Sequence, residues 1–209
     1  MLAVIGTAGR GTDADRLSVG LYDAMYARAV ETMRDWGIRA LVSGGAAWAD
    51  HLAVRAFLEG EAASLRLFLP ARFEHGRFGG SAPNDVARTA NRYHDAFSRA
   101  VGVDTLAQLA EAIDRGAAAS VHPGFKTRNI EVAYVATHMI AYTFGAGREP
   151  ASVKESDDGF ASAFEAGLKD GGTAHCWSRA TRADAKMHVD LFWLSRQPAA
   201  TLSGHPAPR

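Results

Sequence analysis

Three short apolar runs, LAVI at residues 2–5, ALVS at 40–43 and LRLFL at 65–69, alternate with two stretches of helical periodicity. That alternation constrains the fold more than any other feature. Short strands without polar alternation are buried on both faces, and connections long enough to hold a helix join them in parallel. In residues 18–36, Leu21, Met25, Ala29 and Met33 recur every four residues, and Gly37 ends the pattern. In residues 50–58, Leu52, Ala53, Ala56 and Phe57 share one side, Gly60 supplies the stop, and Pro70 closes the third run. The order resumes with a helix over 128–136, a strand over 138–144, a helix over 173–181 and a last strand over 187–194. The expected fold class is α/β: a three-layer Rossmann-like fold with a central parallel sheet and helices on both faces.

Residues 1–197 read as one domain. Residues 71–126, richer in charge and glycine, read as an insertion over one sheet edge, with helices near 85–101 and 105–115. Residues 145–159 are polar and read as a loop. The Ala- and Pro-rich tail, residues 198–209, is expected to lack fixed structure. The apolar stripe with Leu52, Phe57 and Leu58 suits either the core or a homo-oligomer interface.

Charge narrows the partners. Lys plus Arg equals Asp plus Glu at 23 each, so no global field holds a polyanion, and nucleic acid is not the expected partner. A local basic patch stays open. The single cysteine, Cys176, excludes an intrachain disulfide and a Cys-cluster metal site, and it fits a reducing cytoplasm. The start MLAVIGTAG has neither a basic leader region nor a long apolar run, and no span of membrane length occurs, so no membrane partner is expected. The eight histidines are scattered, no metal site is expected, and no cofactor is required.

Small residues follow the strands and open a late helix. They are GTAGRG at residues 6–11, SGGAAWAD at 43–50 and DGGTAHCW at 170–177. In an open parallel sheet, ligands bind beyond the carboxyl ends of the strands, where helix N-termini present free amides. Gly6, Gly44, Gly45, Gly171 and Gly172 would bring backbone amides against a phosphate or ribose, or they merely permit tight strand–helix packing. Arg128 and Asn129 sit at a helix start beside that crevice, where an arginine forks onto phosphate or makes a surface ion pair. Asp50 either caps its helix or holds a ribose hydroxyl. Arg10, Ser43 and Thr173 are further candidate phosphate contacts. Glu131 is a candidate nucleophile or base, or else a complement to the helix dipole. His75, Arg77 and Asn84 lie in a loop that either closes over a ligand or simply connects. Trp48 either stacks on a base or is buried.

The segments IGTAGR, LVSGGAAWADHLA, FLPARFEHGRFGG, TRNIEVAYVATHMIAYTFG and DGGTAHCWSRA together resemble the SLOG superfamily, and within it the YspA-like branch. The resemblance covers most of the chain in pieces, outside residues 84–125, 145–169 and the tail. It implies a nucleotide or nucleotide-derived small molecule at the strand ends, in a sensor or nucleotide-processing protein. The related Lonely guy proteins, which resemble lysine decarboxylases, imply an alternative: an N-glycosidic hydrolase of nucleoside monophosphates. There Arg128 would orient the phosphate and Glu131 would act as nucleophile or base. His175, Cys176 and Trp177 stand where that group carries a glutamate motif, which is a departure from its pattern. DNA-processing protein A shares the serine–glycine element and implies a third reading, a DNA-processing protein.

Overall fold

The computed structural model describes residues 1–80, 85–145 and 171–197. Five parallel pairings build one six-stranded sheet. Its strands are β1 (Leu2–Gly6), β2 (Ala40–Ser43), β3 (Ser64–Leu69), β6 (Ala118–Val121), β7 (His138–Thr143) and β8 (Ala185–Asp190), in the order β6-β3-β2-β1-β7-β8. A two-stranded antiparallel hairpin, β4 (Phe73–Glu74) and β5 (Arg77–Phe78), lies apart from it. The fold is the three-layer Rossmann-like α/β arrangement that the alternating runs predict. The chain leaves β1 toward β2 on one side and later returns to β7 on the other. The order therefore switches between β1 and β7, in register from Leu2 opposite His138 to Gly6 opposite Tyr142.

Side-chain alternation divides the core. Leu2, Val4, Leu41, Leu67 and Tyr142 face α1 (Val19–Asp35) and α2 (His51–Leu58), together with α3 (Val86–Val101) and α4 (Thr105–Asp114). Ala3, Ile5, Val42, Phe68 and Met139 face α5 (Phe125–Val135) and α6 (Gly172–Arg179). Local chemistry sets the helix starts. Ser18, Asp85 and Asp104 each accept a backbone N–H in the first turn of α1, α3 and α4, satisfying amides that have no intrahelical partner.

Three elements differ from the expectation. Residues 71–126 supply β6, the strand that forms the sheet edge beside β3, and also α3 and α4, which pack on each other, with α4 on α2. The sequence AASV carries no apolar run because three of its four residues face solvent at the edge. The last strand ends at Asp190, whose carboxylate accepts from the Phe192 N–H at 2.8 Å and starts the short helix α7 (Leu191–Leu194). The third is the histidine–glycine segment, which forms the hairpin turn, with φ of 52° at His75 and 73° at Gly76, positive at both positions as a two-residue hairpin turn requires. The polar loop after Gly145, the tail from 198 and Asn84 lie outside the described residues. Leu52 is fully buried in the chain's own core, where Phe57 and Leu58 also pack.

Candidate functional site

A cleft of about 880 Å³ opens at the carboxyl ends of β1, β2 and β7, at the switch in strand order. Its walls are the segment after β1, the turn after β2, the N-terminal half of α3, and the starts of α5 and α6. Of the residues singled out above, Gly6, Arg10, Gly45, Asp50, Arg128, Asn129, Gly171, Gly172 and Thr173 line it. Ser43, Gly44 and Glu131 do not.

Gly44 explains its own position. A Cβ there would overlap the Arg128 guanidinium, so the close approach that requires glycine is made by the protein's own arginine. Arg128 reaches from the first turns of α5 to Asp50, just before α2, with Nη1 donating to Oδ2 at 2.7 Å. Both side chains are more than nine-tenths buried. The carboxylate also accepts the Ala46 N–H at 3.5 Å. Arg128 Nε is buried without a hydrogen-bond partner, and Nη2 makes no hydrogen bond among the described residues. Ser43 is occupied inside the turn: its hydroxyl donates to the Asp50 carbonyl at 2.8 Å and accepts the Gly45 N–H at 3.2 Å.

The opposite wall is tied together in the same way. Thr173 Oγ1 donates to the Gly6 carbonyl at 2.9 Å, and Asn129 Nδ2 donates to the Gly172 carbonyl at 2.8 Å. These bonds fix the start of α6 against the end of β1 and against α5. Neither α5 nor α6 has a side-chain N-cap. Their first-turn amides and positive dipole ends therefore lie at a cleft bounded by Phe125, Gly171, Gly172 and Thr173. Arg10 is exposed and adds a cation at the mouth.

Several contributors carry no signal in their own sequence segment. Thr7 Oγ1 donates to Asp13 at 2.8 Å and accepts the Gly9 N–H at 3.2 Å, shaping the segment after β1. His94, on α3, is fully buried beneath the glycine turn. Its Nε2 lies 3.1 Å from the Gly45 carbonyl and its Nδ1 lies 3.0 Å from Thr105 Oγ1. A carbonyl only accepts, so Nε2 carries the proton and Nδ1 accepts from threonine. Burial lowers the pKa of His94 and pushes that of His51 down to about 3, with the neighbouring His94 adding to the shift of His51. Trp48 is buried against Tyr22 and Phe97 instead of facing the cleft.

The acids available for chemistry are few. Glu131 points elsewhere, with Oε1 3.9 Å from His122 Nδ1. Asp50 is bound to Arg128 and Asp13 to Thr7. The Cys176 thiol is buried, and burial pushes its pKa up to about 12, which keeps it protonated and inert. Among the described residues, no group of three His, Cys, Asp or Glu side chains is placed to hold a metal ion, and no helix is long and apolar enough to cross a membrane. His75 and Arg77 stand on the hairpin and do not line the cleft.

No family model matches the chain, and no solved structure matches it. A protein of Acanthamoeba polyphaga mimivirus, named uncharacterized protein R261, is 40% identical to it over an aligned length of 152 residues that covers 68% of this chain and 81% of the viral one. A match of that length reaches well beyond the glycine segments.

Proposed function

We propose that this chain, which belongs to the family of the mimivirus protein R261, binds a nucleotide or nucleotide-derived small molecule in the cleft above β1, β2 and β7. The observation that carries the reading is the meeting of two uncapped helix starts, α5 and α6, with Arg10 and Arg128 at the switch point of the sheet. Free amides, positive dipole ends and guanidinium groups are the donors that a phosphate takes up. The cleft volume lies within the usual range for small-molecule sites, about 300–1,000 Å³. The SLOG-type motifs point the same way, and a soluble sensor or nucleotide-processing role in the cytoplasm is the setting in which we read it.

Binding without bond cleavage is favoured over glycosidic hydrolysis. Glu131 does not line the cleft, and the two acids that do are engaged by Arg128 and Thr7. The test is a thermal-shift screen against nucleoside monophosphates, cyclic nucleotides and ADP-ribose derivatives, with mass spectrometry of each mixture. The expected result is a stabilising compound recovered intact, bound about tenfold more weakly by Arg10→Ala, whose exposed side chain has no structural partner among the described residues. Recovery as free base plus sugar phosphate would put the hydrolase first. No shift with any compound would overturn the site.

A further inference from the structure

The cleft continues past the strand ends. Arg92 on α3 lines it with Thr89, Ala90 and Tyr93, and also lines a second groove of about 390 Å³ between α3 and the β4–β5 hairpin. That groove holds Arg77, Arg88, Arg92 and Arg99 against one acid, Asp95. The walls are held by specific bonds. Asn91 accepts the Phe78 N–H at 3.0 Å and donates to the Phe78 carbonyl at 2.9 Å, fastening the hairpin to α3. Arg77 Nη2 bonds both Asp95 oxygens, at 3.2 and 2.9 Å, so that acid is engaged by Arg77 and not by Arg92 or Arg99.

Arg88, Arg92 and Arg99 are exposed, and spacings of four and seven residues place them on one face of α3, roughly 6 and 10 Å apart along its axis. Arg92 and Arg99 make no ion pair among the described residues. The chain is neutral overall, so this row is a local excess of charge. Within the cleft, the partly exposed rings of Tyr93 and Phe125 lie beside the cations, with Arg92 over Tyr93 and Arg128 over Phe125. A cationic track joined to aromatic surfaces is the combination that holds single strands, since phosphates take the charges and bases stack on the rings.

We propose that the arginine groove extends the nucleotide site, and that the molecule it accepts is a short single-stranded oligonucleotide. One nucleotide lies in the cleft and the phosphates that follow pass along Arg92 to Arg99. This rests on the nucleotide reading of the cleft and names its ligand class. The neutral total charge excludes neither, because only the row on α3 meets the strand.

The test is binding of the full chain to each of the four nucleoside monophosphates and to the corresponding 5′-phosphorylated homotrimers, measured across a salt series. The trimer of the preferred base binds about tenfold or more tightly than its monomer, as stacking and added phosphates require. The advantage falls with salt, with a log–log slope steeper by about 0.7 per added phosphate. Arg99→Ala and Arg99→Glu each remove most of the advantage and leave monomer binding unchanged. Monomer binding with no gain for any trimer, or a gain indifferent to both Arg99 variants, overturns this inference and leaves the cleft reading standing. Failure of every monomer and every trimer overturns both.

Discussion

Gly44 and Arg128 form one unit at the residue scale. Gly44→Ala puts a methyl group where the guanidinium lies, and Arg128→Ala leaves the Asp50 carboxylate buried without its cation. Loss of one partner from a buried pair costs about 3–5 kcal/mol. Both variants should therefore lower the denaturant midpoint by comparable amounts, with the double variant little worse than either alone. Additive losses in urea titrations would show that the two positions act separately. His51 and His94 make a second prediction, about pH. Their folded pKa values lie below the ordinary histidine value, so the unfolded chain binds protons first as the solution is acidified. Their contribution is present above about pH 6.5 and is lost as pH falls toward about 3, the value for His51, at up to about 1.4 kcal/mol per pH unit for each histidine. Unfolding free energies of His51→Gln measured from pH 7 to pH 4 should fall less steeply than those of the parent chain. Equal slopes would remove His51 from the account.

At the element scale, the hairpin matters because it is one wall of the arginine groove. Two of its bonds to α3 come from a single side chain, Asn91. Asn91→Ala should cost about 1–3 kcal/mol through the unpaired Phe78 backbone, and it should expose the hairpin to protease at unchanged sheet content. Circular dichroism with limited proteolysis checks both halves of that statement. The helices α3 and α4 have a further role here, since His94 reaches from α3 to the Gly45 carbonyl. A segment far along the chain thus holds the turn after β2, and its removal would loosen the cleft as well as the core.

For the whole molecule, ligand binding and stability are linked. A ligand that binds only the folded chain adds about 2.7 kcal/mol at a concentration one hundred times its Kd. Saturating nucleotide should raise the midpoint of the parent chain accordingly and raise that of Arg10→Ala less at the same concentration. A midpoint independent of ligand concentration would count against the cleft as a binding site. The neutral total charge also predicts weak salt dependence for a mononucleotide, which neutralises few charges, in contrast to an oligonucleotide running along α3.

The three apolar runs, the four-residue recurrence in α1 and the glycines at strand ends were sufficient to read the parallel sheet and the place of the cleft. They suffice because burial on both faces and the need of helix starts for glycine or a cap are local demands, written in adjacent residues. The edge strand β6 was not legible, since an exposed edge needs no apolar run. Nor was the end of β8 at Asp190, where a carboxylate cap outweighs an apolar alternation that continues past it. The glycine pair was legible as a close approach but not as the seat of Arg128, because the two lie 84 residues apart in the chain. Arg10, Asp50 and Thr173 could be named from their place beside the glycines. Arg92 and Tyr93 on the cleft wall, and His94 beneath the glycine turn, could not, because only packing of α3 carries them there. Local sequence determined which segments become strands and helices and where small residues and helix starts gather at the strand ends. Tertiary structure decided which side chains fill that space, because long-range contacts depend on the whole chain and leave no period in any one part of it.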